Sequence, residues 1–495
     1  MFIEYFGFVE LQYWEYVVMF FYLLVIYLYF ARQKNMKIKT SPEYKYFLWG
    51  LFSKIIGGVV FSLIYFYWYK GGDTTAYFFS SRALTNLMDR SFGDYLTILF
   101  GDNSVDNRTL FTMETGKPFE WIYYDDRAFM VVRLINPISI LCLNSYLVTT
   151  VTVASLSFIG VWRLYRTLFS YYPRLHRELA IAVLFMPSSI LWGSAILKDT
   201  FTFSAFCWFI YAFDNMFFKK RNQTSAVVQM VLCSALIVYI KPYIFMVLLP
   251  ICLLWLSHGR ITRMKNALVK FIFLPIGFVV MIIGAIGVLN YMEGSLDKFS
   301  LDSSLETIII SQNDLKRSAE YGSNYFDVGE MDGTWAGVFS KAPIAITAAW
   351  FRPALPECRN LLMIFSGLEN TFVLGLFLWM LWRTRVFFFL KCVFNNPLVM
   401  VCFLFAISYG FVTGITTPNF GALVRFKIPL LPLLVGGTYI VLYLSAQRDK
   451  MRRMNMRFEL ADYKNGDPDL TDPIVEKRVR QMKQTAARRA ARATT

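Results

Sequence analysis

The sequence predicts an all-α polytopic membrane protein with about eleven transmembrane helices, its N-terminus outside and its C-terminus cytoplasmic. Three observations carry that expectation. The 495 residues are 56% hydrophobic and 18% aromatic, with a mean hydropathy of +0.45, outside the range of ordinary soluble domains. Apolar runs of roughly the 20 residues needed to cross a bilayer core lie near 13–31, 47–69, 144–162, 179–197, 200–218, 226–241, 243–257, 268–290, 365–382, 397–415 and 428–446. Lys and Arg gather in every other gap between those runs, as they do in short cytoplasmic loops.

The run 13–31 is followed by Arg32, Lys34, Lys37 and Lys39, which places its end inside. The run 47–69 returns the chain to the outer face and opens a long outer loop, 70–144. There TTAYFFSSRALTNLMDRSF sets Tyr77, Leu84, Leu87 and Met88 on one helical face, with Ser81, Arg82, Asn86 and Asp89 on others. That is the pattern of a helix lying in the interface. The run 144–162 ends at Arg163, Arg166, Arg174 and Arg177. Between Glu178 and Lys219 the runs 179–197 and 200–218 leave no room for a loop, so Lys198 and Asp199 are expected in a tight turn. Lys219, Lys220 and Arg221 mark the return inside.

Lys241-Pro242 forms the outer turn between 226–241 and 243–257, and Arg260, Arg263 and Lys265 follow on the inner side. After 268–290 comes a second outer loop, 291–367, in which Ala342 to Trp350 is apolar but too short to span. A re-entrant or interfacial segment is expected there. Arg383, Arg385 and Lys391 separate 365–382 from 397–415. The turn TTPNFGALVRFKIPLLP then leads into 428–446, with Pro429 suited to the first turn of that helix. Eleven crossings from an outside start end inside, in agreement with a basic tail. The expected organisation is a transmembrane domain over 1–446 and a cytoplasmic tail over 447–495. The tail reads as a solvated stop signal, with contact to anionic lipid as the other reading.

Composition also excludes several classes. The net charge of +16 is accounted for by the inner loops and tail, so nucleic acid is not an expected partner. The first 15 residues hold Glu4, Glu10 and Glu15 with no Lys or Arg, so no cleavable signal is expected. Both histidines, His176 and His258, fall in inner loops, which removes His-based zinc sites and Ser-His triads from the outer face. Six of the seven cysteines fall in or beside apolar stretches, which leaves Cys358 in its outer loop without a partner, so no structural disulfide is expected. The chain carries no GxGxxG, P-loop, HExxH or CxxC pattern.

The outer ends of the helices hold charge beside Gly or Pro. GGDTTAY puts Asp73 close to the membrane surface, as a base or metal ligand at a cavity mouth, or as a turn aspartate capping the next helix. Lys198 and Asp199 of PSSILWGSAILKDT lie at a depth where charges are paired or functional, and Lys241 is a cation or a snorkelling anchor. In AWFRPALPECRNLLMIFSGLEN, Arg352 and Glu357 flank a Pro-bounded segment, and Glu369 needs a cation, with Arg352 the nearest candidate. Arg425 and Lys427 reach the mouth of the last span. Jointly, Arg82, Lys198, Lys241, Arg352, Arg425 and Lys427 suit a phosphate or pyrophosphate. The carboxylates Asp73, Asp199, Glu357 and Glu369 suit proton abstraction from a hydroxyl, or a divalent cation such as Mg or Mn held at Asp73.

With those motifs the chain resembles membrane glycosyltransferases of the GT-C fold class, which have many helices, a long first outer loop and an acid just after the helix that opens it. Asp73 of GGDTTAY holds that position when 13–31 is counted as an N-terminal addition. The resemblance implies a polyprenyl-phosphate or polyprenyl-pyrophosphate sugar donor and an inverting transfer in which Asp73 activates the acceptor. The second acid often found in that loop has only Asp125-Asp126 as a counterpart, and no soluble C-terminal domain is expected. The chain is also similar to O-antigen and exopolysaccharide polymerases, in which Arg352 and Arg425 would bind the pyrophosphates of the growing chain.

The expected function is therefore transfer of a sugar from a polyprenyl carrier to an acceptor on the outer face of a bacterial inner membrane. Surface polysaccharide or glycoconjugate synthesis would be the setting, with its synthesis or export machinery as partners. The alternatives are a polymerase, a transporter of an anionic lipid or solute, and a non-catalytic subunit of an export complex.

Overall fold

Among the described residues, eight helices are long and apolar enough to cross a membrane: Tyr13–Lys37, Pro42–Trp68, Tyr146–Tyr171, Gln223–Ile240, Pro242–Gly259, Leu361–Thr384, Pro397–Thr416 and Leu430–Arg453. They mark the chain as a multi-pass membrane protein. The computed structural model describes residues 3–5, 9–261, 310, 325–329, 334–453, 458–463 and 466–467. Apart from a short antiparallel ribbon, Ile3–Tyr5 with Val9–Leu11, the secondary structure among these residues is helical. The expected span 268–290 and most of 291–333 lie outside the described residues.

The chain divides into two units, 1–165 with 184–245, and 166–183 with 246–495. The first contains α1 (Tyr13–Lys37), α2 (Phe47–Leu63, continued by a π turn to Trp68) and α3 (Asp73–Arg90). It continues with α4 (Phe92–Phe100), α5 (Val105–Arg108), α6 (Glu120–Tyr123) and α7 (Asp126–Leu141). The part of α8 (Tyr146–Tyr171) up to Tyr165, α10 (Pro187–Leu191), α11 (Lys198–Asp214) and α12 (Gln223–Ile240) complete it. Helices gain little hydrophobic drive against lipid, so small residues that allow close approach matter more. A methyl on Gly50 of α2 would stand 2.9 Å from the Phe158 ring of α8, and one on Gly160 of α8 would strike the Ser204 carbonyl of α11.

One expectation for this unit is corrected. The apolar run 179–197 is not one helix. It breaks after α9 (His176–Leu184), resumes as α10 and then runs through turns and bends from Trp192 to Leu197. Pro187 opens α10 where it has no hydrogen bond to lose, and the buried carbonyl of Gly193 accepts from the Lys54 ammonium of α2. The run 200–218 is α11 followed by a π turn to Lys219. Helix α3 is packed against protein on more than one face: Tyr77, Leu84 and Leu87 are buried, and so are Ser80, Ser81 and Thr85 on other faces. Asn136 of α7 donates to the Ser81 carbonyl at 2.9 Å and to Thr85 Oγ1 at 3.0 Å, which pairs part of that polar face inside the unit.

The second unit holds α13 (Pro242–Ile261) from Met246 onward, α14 (Trp335–Ser340), α15 (Ala342–Phe351) and α16 (Leu361–Thr384). It ends with α17 (Val386–Asn395), α18 (Pro397–Thr416), α19 (Phe420–Phe426) and α20 (Leu430–Arg453). The short apolar helix α15 packs on α18, where Trp350 Nε1 donates to the Ala406 carbonyl at 2.9 Å and Gly410 makes room for the indole. The beginning of the tail docks back on the unit. Asn396 donates to the Tyr463 carbonyl at 2.8 Å, and Asp467 accepts from Tyr443 at 2.8 Å and pairs with Arg174 at 3.4 Å. Residues 458–463 and 466–467 are thus held rather than solvated, and Leu460 and Tyr463 are buried.

Candidate functional site

Asp73 stands in the first turn of α3, where a helix N-terminus favours a carboxylate. Gly71 and Gly72 make the turn off α2 with φ of 146° and 123°, backbone that side chains rarely adopt. Asp73 is half-buried, while Thr74 beside it is buried and shares a hydrogen bond with the Tyr146 hydroxyl at 3.1 Å. At the same end of α8, Ser145 Oγ donates to Glu15 of α1 at 2.5 Å. Arg82, half-buried on α3, is near enough for its charge to act on Glu15. Glu15 was not among the expected site residues; its position inside an apolar run was the available signal.

Lys198 and Asp199 occupy the first turn of α11, but their partners are distant in sequence. Lys198 pairs with Asp125, the residue capping α7, at 2.7 Å, and Asp199 pairs with Lys241 at 2.6 Å. The first pair is open, with side chains 23% and 43% exposed, whereas the second is closed at 7% and 4%. Burial works against the Asp125 carboxylate, yet the bond and charge from Lys198 and the N–H groups of Arg127 and Ala128 bring it below its ordinary range. Lys241 has its charge matched inside the protein. Lys198, partly exposed, has N–H groups beyond the one that Asp125 accepts, since an ammonium carries three.

In the second unit Arg352, Glu357, Glu369 and Lys427 come together. The Arg352 guanidinium engages Glu357 through Nε at 3.0 Å and through Nη2, and lies 5.3 and 5.5 Å from the Phe326 and Phe420 ring centres. Lys427 donates to the Arg352 carbonyl at 3.1 Å and to Asn370 Oδ1 at 2.5 Å, and Asn370 in turn donates to the Pro353 carbonyl at 2.8 Å. Burial holds the Lys427 ammonium down, at about 8, and the charge of Glu369 opposes that shift. Glu369 therefore acts on Lys427, and the expected Arg352–Glu369 pairing is replaced by Arg352–Glu357, five residues apart on one tight segment. Arg425 is half-buried on α19.

The expected residues thus fall in both units: Asp73, Arg82, Lys198, Asp199 and Lys241 in the first, Arg352, Glu357, Glu369, Arg425 and Lys427 in the second. Lys54 is a further charged group that the apolar run 47–69 concealed. It lies mid-span, bonded to the Gly193 carbonyl, with Ser194 Oγ at 3.4 Å and the Phe203 ring centre at 5.8 Å. Among the described residues no group of three or more His, Cys, Asp or Glu side chains could hold a metal ion. A divalent ion at Asp73 would take its remaining ligands from a phosphate substrate, as Mg does.

Neither a scan of protein-family models nor searches of curated proteins and solved structures return a match.

Proposed function

We propose that this protein is a membrane glycosyltransferase acting at the outer face of a bacterial inner membrane, with its N-terminus outside and about eleven crossings. The observation that carries the reading is the half-buried Asp73 at the start of α3, directly after a span, in the same unit as the open Lys198–Asp125 pair. Asp73 takes the proton from an acceptor hydroxyl. Lys198 and Arg82 hold a lipid-borne phosphate, and Arg352 with Arg425 form a second cationic group. The closed Lys241 and Lys427 support the backbone of these segments, and Asp199, Glu357 and Glu369 match the charges. Surface polysaccharide or glycoconjugate synthesis is the setting, and a polymerase acting on the same lipid-borne class uses the same groups.

The test is transfer from a polyprenyl-phosphate sugar by purified protein in lipid. Asp73→Asn should lower the rate by about 10²–10⁴ if Asp73 is the base. A rate equal to wild type would remove the centre of the proposal.

One observation favours transport as the second reading. Broken helices near mid-membrane depth are a feature of secondary transporters, and residues 192–197 break beside Lys54, which is 12 and 14 residues from the two ends of Pro42–Trp68. Uptake of an anionic solute into proteoliposomes, lost in Lys54→Met, would support it.

A further inference from the structure

The half-exposed residues of α11 form one stripe: Lys198, Phe201, Ser204, Trp208 and Tyr211, while the positions between them are buried. Their spacing of three and four places them along one helix face, about 20 Å from Lys198 to Tyr211 at 1.5 Å per residue. Three of them, Phe201, Ser204 and Trp208, line a groove of about 220 Å³ that is closed by Leu156 of α8 and by Leu232 and Leu236 of α12. Helices α8 and α12 are both of spanning length, so the groove lies at hydrocarbon depth. Its rim is open and apolar: Leu156 is 50% and Leu232 65% exposed. At one end of the stripe stands the open Lys198–Asp125 pair. At the other, the Arg163 guanidinium is covered by the Trp208 and Tyr211 rings, with centres at 4.4 and 4.6 Å.

We infer that this groove seats the chain of a single-chain anionic lipid, an isoprenoid-type phosphate, with its headgroup at Lys198. Ligand pockets for whole small molecules run from about 300 to 1,000 Å³, so a groove of 220 Å³ on one helix stripe takes a single chain rather than two. The head belongs at Lys198 because that ammonium is partly exposed and has N–H groups beyond the one Asp125 accepts, whereas the Arg163 guanidinium is covered by two rings. The inference deepens the proposed transferase reading by naming where its lipid substrate lies, and it is tested by binding rather than by turnover.

The experiment uses the full chain in phosphatidylcholine nanodiscs, labelled with an isoprenoid phosphate carrying a mid-chain diazirine, then digested for mass spectrometry. Adducts are expected on the peptides holding Phe201 to Trp208 and Leu232 to Leu236. They should fall about tenfold in Lys198→Gln, which loses a charge-assisted bond to phosphate. Leu236→Trp, which fills the groove, should lower them while leaving Lys198 in place. Arg163→Gln should leave them unchanged. Four results would each overturn the inference: equal labelling of Lys198→Gln and wild type, loss only in Arg163→Gln, equal labelling by a diazirine phosphatidylglycerol, or adducts spread evenly to the exposed face of α1. Retained labelling with no sugar transfer would count against the Asp73 reading alone.

Discussion

The ammonium of Lys54 donates to the carbonyl of Gly193, and the bond is buried inside the first unit. It supplies a donor to backbone that leaves the helical ladder between Trp192 and Leu197, at a depth where water cannot. Gly57 and Gly58, one turn further along α2, let that segment lie directly on the helix. A methyl at Gly57 would strike the Ile190 carbonyl, and one at Gly58 would stand 2.9 Å from that of Ser194. Gly57→Ala is expected to destabilise the protein by about 1–3 kcal/mol, the usual cost of overpacking. Thermal unfolding in detergent checks it, and an unchanged midpoint would mean the segment does not rest on α2.

The closed pair Asp199–Lys241 makes a second prediction. Removing one partner of a buried pair strands the other charge, so Asp199→Asn or Lys241→Met alone should cost about 3–5 kcal/mol. The double variant should recover much of that loss, since neither charge remains. A double-mutant cycle by thermal unfolding measures the coupling, and strictly additive effects would contradict the pairing.

The Arg352–Glu357 clamp is expected to depend on pH. Burial alone would raise the Glu357 carboxyl, but the bonds from Arg352 and from the Ala354 N–H hold it below its ordinary 4.5. A carboxyl lowered in the folded state contributes stability above its unfolded value, and that contribution is lost as pH falls through the folded value. The wild type should lose stability below about pH 4.5 more steeply than Glu357→Gln. Parallel pH profiles for the two would rule the clamp out as a stabilising contact.

Docking of the early tail predicts protection from proteolysis. Tyr463→Ala removes a buried ring stacked on Phe458 at 5.6 Å, and Asp467→Ala removes the partner of Arg174 and Tyr443. Both variants should be cut faster between Arg453 and Asp467 by limited proteolysis, with the spans intact. Equal cleavage rates would show the segment is not held.

These features were unequally legible in the sequence. Eight spans could be read because run length and apolarity are what a bilayer demands. The break in 179–197 was hidden because FMPSSILWGSAIL is apolar enough to pass as a helix; Pro187, the adjacent serines and Gly193 were the signals. Asp73, Lys198 and Asp199 could be picked out as charges at helix ends. Their partners could not, since Asp125 and Lys241 lie 73 and 42 residues away and only folding brings them near. The partner of Arg352 was misjudged because Glu369 was expected to need a cation, whereas Glu357, five residues away, takes the guanidinium and Glu369 acts on Lys427 through its charge.

The most direct measurement of the central claim is mass spectrometry of polyprenyl-linked glycans in cells lacking this protein and complemented with wild type or Asp73→Asn. Transfer from a lipid carrier predicts that Asp73→Asn, at equal protein level, leaves the lipid-linked donor accumulated and the surface glycan missing, while wild type clears it. Identical lipid-linked pools in the two strains would contradict the assignment of Asp73 and, with it, the proposed reaction.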